Sequence, residues 1–155
     1  MSNTESTATV PEMVWEMMKD RLGYSDEELE QFKNNPRNAK VMAAAPEMMT
    51  KTIVFEVLAS RGCNSQHHVG NRFFFSGDGN LLTKMAPSKV CAFLLPIMCQ
   101  MIYGIQELWY AGVDPNDLAF KRAGCFDVGV QCGGWGNVII EAKVMDREEA
   151  AKLAG

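Results

Sequence analysis

No uninterrupted apolar stretch in this sequence reaches the roughly 18 residues that a bilayer span needs. The opening residues, MSNTESTATVPE, lack both the basic end and the apolar centre of a secretion signal. A soluble cytoplasmic protein with no membrane partner is expected. Basic charge is scarce as well. Fifteen Lys and Arg stand against 19 Asp and Glu, a formal net charge of -4, and no basic stripe is interleaved with aromatics. Nucleic-acid binding, which depends mainly on neutralising phosphates, is not expected. The five cysteines, Cys63, Cys91, Cys99, Cys125 and Cys132, are odd in number and scattered, and 155 residues suffice to bury a core without disulfide staples. Reduced thiols suit such a chain. Also missing are a Ser-centred nucleophile elbow, a His-Glu-x-x-His helix and a paired Cys-x-x-Cys, the strongest signals of a hydrolase, a zincin or a zinc ribbon. The run Gly133-Gly134-Trp135-Gly136 has neither the spacing of a dinucleotide fingerprint nor the Lys-Ser/Thr of a phosphate loop, and reads as a hairpin turn.

What is present is an ordinary globular composition, 47% hydrophobic and 22% charged, with the acidity gathered at the front. Residues 1–10 are small and polar and read as a flexible arm. From Pro11 onward Val14, Met17, Met18 and Leu22 recur at i, i+3, i+4 and i+8, the spacing of a helix with one apolar face, and Gly23 is placed to end it. Ser25 with Glu28 fits a capping box for a second helix carrying Leu29 and Phe32, which Asn34-Asn35-Pro36 breaks. A third helix is expected over residues 37–45, interrupted at Pro46 and extended with a kink over 47–51. Residues 11–50 thus form a helical extension rich in Met, a residue that fills gaps and adapts to partners. The apolar face of residues 11–33, with Val14, Trp15, Met17, Met18, Leu22, Leu29 and Phe32, needs a cover, either the chain's own sheet or another subunit, so a homo-oligomer or a protein partner is expected.

After Lys51 the composition becomes β-branched and aromatic. Strands are expected over 52–58 and 71–76, with Gly77-Asp78-Gly79-Asn80 as a hairpin turn and 81–84 as its return. A long apolar helix should run from Pro87-Ser88 to Tyr110 and kink at Pro96. Further strands are expected at 118–122 and 138–145, with residues 128–131 between them, and Asp146 with Glu149 opens a short tail helix. The fold class is therefore α+β. Residues 51–155 form the core domain, an antiparallel or mixed sheet of four to six strands with the kinked helix packed on it and the N-terminal helices outside.

Chemistry concentrates in two places. The loop Arg61-Gly62-Cys63-Asn64-Ser65-Gln66-His67-His68-Val69-Gly70 holds both histidines of the chain. Cys63 and His67 are spaced so that a loop can fold thiolate and imidazole around Zn or Fe, with Cys125 as a further ligand. The plain reading makes Cys63 a buried thiol and gives His67 or His68 a backbone bond that shapes the turn. In the second stretch, Cys125 and Asp127 alternate with Phe126 and point to one face of an extended backbone. Both stretches interrupt strands of one sheet, so the two should approach. The plain reading of Asp127 is an acceptor of backbone N–H bonds. Cys91 and Cys99, set in an apolar run, read as core packing.

At these residues the sequence resembles a family of small bacterial and archaeal proteins, frequent in anaerobes, with Cys-x3-His-x2-Gly near the start, a helix start containing Cys-Pro, and a late Cys-x-Asp. The likeness spans residues 52–145. It rests on Cys63, His67 and Gly70, on the aromatic strand Phe73-Phe74-Phe75, and on Cys125 with Asp127. The middle element differs: Ala86-Pro87-Ser88 stands where the family often has Cys-Pro, with Cys91 one helical turn later. The resemblance implies an α+β fold and this choice of site residues. It implies no reaction, because the family has no assigned activity. Three functions follow as expectations. The first is an accessory or metal-binding protein that docks on itself or a partner. The second is a small enzyme with Cys63 or Cys125 as thiolate and His67 as general acid/base, with Asp127 alongside. The third is a purely structural subunit.

Overall fold

A computed structural model describes residues 10–154. The chain divides into two compact units, one ending at Pro46 and the other beginning at Glu47. In the first, α1 (Glu12–Leu22) ends where Gly23 takes the left-handed conformation at φ 72° and returns its N–H to the Lys19 carbonyl. The capping box of α2 (Asp26–Lys33) is complete, with Ser25 and Glu28 each bonding the other's backbone N–H. Helix α3 (Pro36–Met48) runs through Pro46 without interruption. Trp15, Leu29 and Met42 are buried together, and Phe32 meets Trp15 edge to face at 5.9 Å. The apolar face of α1 and α2 thus finds cover within its own unit, from Met42 of α3, while Met13, Met17 and Leu22 stay exposed.

The second unit is built on a four-stranded antiparallel sheet of order β2-β1-β4-β3, with β1 Lys51–Arg61, β2 Arg72–Ser76, β3 Arg122–Gly124 and β4 Asn137–Asp146. The run Thr52-Ile53-Val54-Phe55 is buried on both faces, which is why β1 reads as apolar without alternation. Ile53, Phe55 and Val57 join Phe73 and Phe75 of β2 and Met98, Ile102 and Ile105 of α4 (Leu95–Tyr110) in the main core. The i, i+4, i+7 spacing of those three helical residues is what lays α4 on the sheet. On the other face Val54 and Phe74 meet Ala150 of α5 (Arg147–Leu153). A register shift between Val57 and Ala59 bends β1 where it leaves the core for the loop that follows.

Several expectations change. Pro96 does not kink a long helix; it lies in the first turn of a shorter one, where its missing N–H has no partner to lose. Residues 81–84 make no strand, only a bridge from Leu81 to Phe75. Residues 128–131 are not extended, because Gly129 sits at φ 77° and Val130–Cys132 form a 3-10 turn. Asp146 does not cap α5 with its side chain but pairs with Lys51 at 2.7 Å. Among the described residues, no helix is long and apolar enough to cross a membrane.

Candidate functional site

Three connections of the second unit converge at one end of its sheet: the loop after β1, the turn ahead of α4, and the long link from β3 to β4. They enclose a cavity of about 540 Å³, a size that suits a small molecule. Its walls include Cys63, Ser65 and His67 from the first, Cys91 and Phe93 from the second, and Cys125, Asp127 and Trp135 from the third. The first and third loops touch backbone to backbone. Gly62 turns at φ +65°, and a Cβ there would lie 2.6 Å from the Trp135 carbonyl oxygen; a Cβ on Gly136 would lie 2.6 Å from that of Arg61. Only glycine fits either position.

Asp127 organises the third loop. Its Oδ1 accepts from the N–H groups of Gly129 and Trp135 and its Oδ2 from that of Gly136, all at 3.0 Å, while Asn137 donates to its carbonyl at 3.2 Å. The N–H donors of Gly129, Gly136 and Trp135 favour the charged carboxylate and hold the Asp127 pKa below its ordinary value, against a smaller opposing effect of burial. A proton on Asp127 weakens these bonds, so the stabilisation is complete above the unfolded-chain pKa of about 3.9 and fades as pH falls through the lower folded value. We expect the amide resonances of Gly129, Trp135 and Gly136 to hold constant from neutral pH down to about pH 4 and to move together only below it. A shared midpoint near neutrality would show that the carboxylate is not their acceptor. With three N–H bonds already on its oxygens, Asp127 fits a positioning role better than that of a catalytic base.

Cys91 precedes α4 by four residues, at the mouth of the helix rather than inside it. Burial pushes its thiol pKa up, but the side chain of Ser65 and the N–H groups of Phe93 and Leu94 outweigh that, with a minor counter-effect from Asp127, and the net shift is downward. The Phe93 N–H lies 3.4 Å from the sulfur. His67 is buried, with its ring edge-on to Phe73 at 5.1 Å, and its Nε2 has no hydrogen-bond partner. Burial first, then electrostatic interaction with His68 and Lys89, lowers its pKa and keeps the imidazole neutral at pH 7. The Ser60 hydroxyl fixes the loop by donating to the His67 carbonyl at 2.5 Å. It is His68, through its backbone N–H on Asn71 Oδ1 at 2.9 Å, that shapes the turn.

The structure therefore brings Cys63, His67, Cys125 and Asp127 to one cavity. Cys63 is half-buried against the core, and the Cys125 sulfur accepts from the Val138 N–H at 3.3 Å, extending the pairing of β3 with β4. Among the described residues, however, no three His, Cys, Asp or Glu side chains are grouped closely enough to hold a metal ion, so Cys63, His67 and Cys125 share the cavity without forming a ligand cluster for Zn or Fe. Cys91 is the residue that sequence reasoning assigned to the core and that the structure places in the cavity wall; Cys99 of α4 is exposed. The missed signal was Pro96, which marks a helix start and so leaves Cys91 outside the helix. Phe93, Phe126 and Trp135 form an exposed aromatic rim, 58%, 56% and 72% accessible, able to receive an apolar molecule. No protein-family model, curated protein or solved structure matches the chain.

Proposed function

We propose that the chain is a small enzyme that acts through a cysteine thiolate on a small, largely apolar molecule, with Cys91 as nucleophile and His67 as the proton-transfer group. One observation carries the reading: Cys91, whose sulfur is bound by hydrogen-bond donors, and His67, whose buried Nε2 is unpartnered, are both wall residues of the same cavity. A neutral imidazole accepts the proton that the thiol releases, and the apolar walls keep water from competing for the substrate. Cys91 takes the nucleophile's place that the sequence suggested for Cys63 or Cys125, because its sulfur faces the Phe93 N–H and the Ser65 side chain, donors that lower its pKa.

Limited alkylation with iodoacetamide, read by peptide mass mapping across pH, tests this. Cys91 is expected to label first below pH ~8.5, the ordinary thiol pKa, ahead of the exposed Cys99 and Cys132. The fast phase should vanish in Cys91→Ser and slow in Ser65→Ala. Early labelling confined to Cys99 and Cys132 would sink the proposal. So would stoichiometric Zn or Fe in protein purified without oxygen, which would restore the metal-binding reading.

A further inference from the structure

Three thiols in one cavity are more than a single nucleophile requires. Cys63 and Cys125 line the same walls as Cys91, and Cys63 is joined to Cys91 through a short path. Gln66 donates its N–H to the Cys63 carbonyl at 3.0 Å, closing a tight turn, and from within that turn the Ser65 side chain reaches the Cys91 sulfur. Cys125 is placed differently, its sulfur engaged by the Val138 N–H at the start of β4.

The β3–β4 link offers little to acyl transfer. An acyl-enzyme route needs N–H groups aimed at a developing oxyanion. In the β3–β4 link those of Gly129, Trp135 and Gly136 are spent on Asp127, and those of Gly133 and Gly134 on the carbonyls of Val130 and Gly129. What the cavity does offer is a soft nucleophile, a buried imidazole, further thiols in the same walls and an apolar enclosure.

We propose that this cavity reduces small apolar hydroperoxides, with Cys91 as the attacking thiol and Cys63 as the thiol that pairs with it. The proposal rests on the reading of Cys91 as nucleophile. The Cys91 thiolate attacks the outer oxygen of R–O–O–H; the S–O bond forms and the O–O bond breaks. The departing alkoxide takes up the proton that the thiol released and leaves as R–OH. The sulfur, now a sulfenic acid, has lost two electrons to the peroxide. The Cys63 thiol then attacks that sulfur; the S–S bond forms, the S–O bond made in the first step breaks, and the hydroxide leaves as water with the Cys63 proton. A dithiol reductant from solution returns two electrons and restores both thiols.

The experiment treats the intact, reduced chain with one equivalent of cumene hydroperoxide in the absence of oxygen. We expect one equivalent of cumyl alcohol and one intramolecular disulfide per chain, mapped to Cys63 and Cys91. Cys63→Ser should stop at a sulfenic acid on Cys91 that dimedone traps, and Cys91→Ser should slow peroxide consumption roughly tenfold or more, as loss of the thiolate demands. A disulfide joining Cys91 to Cys125 would overturn the pairing, and oxidation confined to Cys99 and Cys132 would overturn the activity. If Cys91 is the first thiol alkylated yet no peroxide is consumed, the peroxide proposal fails while the nucleophile reading stands; if Cys91 is not the first alkylated, both fail.

Discussion

Phe73→Ala is expected to lower stability by about 3–5 kcal/mol, the usual cost of truncating a fully buried aromatic residue. Phe73 has no exposed surface and packs among Phe55, Phe75 and the apolar face of α4. The loss should reach beyond the core, because the same ring supports His67 edge-on at 5.1 Å. Without it the imidazole gains access to water and its pKa rises from the lowered value toward the ordinary one of about 6.5. Urea denaturation gives the stability change, and NMR titration of the His67 ring gives the shift. Phe73→Leu separates the two effects, since it retains most of the buried volume but removes the aromatic edge. A Leu variant with an unshifted His67 titration would show that Phe73 acts on the histidine through volume alone.

Gly136→Ala should be the most damaging single-methyl change at the cavity. The added Cβ would run into the carbonyl groups of Gly62 and Arg61, and these are backbone atoms that cannot rotate away. Overpacking of this kind costs about 1–3 kcal/mol, and here it pushes apart the two loops that carry Cys63 and Asp127. The expected signature is a lower denaturation midpoint together with loss of the preferential alkylation of Cys91, whose Ser65 donor belongs to the displaced loop. Gly133→Ala is the control, because a Cβ there meets nothing within 4 Å and only the cost of its φ of +84° remains. Equal damage from both substitutions would refute the close-contact argument.

The parts of the fold that sequence disclosed are those with local, redundant signals. Gly23 after an apolar periodicity, and Ser25 with Glu28, fixed two helix ends because caps are chemical requirements of the backbone. The β-branched run at 52–58 and the apolar segment at 138–145 revealed the two central strands. Pro96 misled because proline is compatible with a helix start and with a kink, and the apolar residues before it hold no polar cap to decide between them. Val128 and Val130 look like strand positions, yet Gly129 between them takes a positive φ and both valines are exposed. The meeting of Cys63 and His67 with Cys125 and Asp127 was legible from their places at strand ends. The character of Cys91 was not, since it depends on Ser65, 26 residues earlier in the chain, and on the N–H groups of a turn that sequence had read as helix.

The strand order also bears on how the chain avoids aggregation. Its two inner strands, β1 and β4, have 11 and 10 residues, whereas the outer ones, β2 and β3, have five and three. An edge strand presents unpaired N–H and C=O groups to any passing chain, and short edges present few. Arg72 on β2 and Arg122 on β3 further mark those edges with charge, each paired inward to a glutamate, Glu56 and Glu141. The segment with the strongest tendency to form cross-chain sheet, 52–58, is thereby held between two partners for most of its length and offers a fibril nothing to extend.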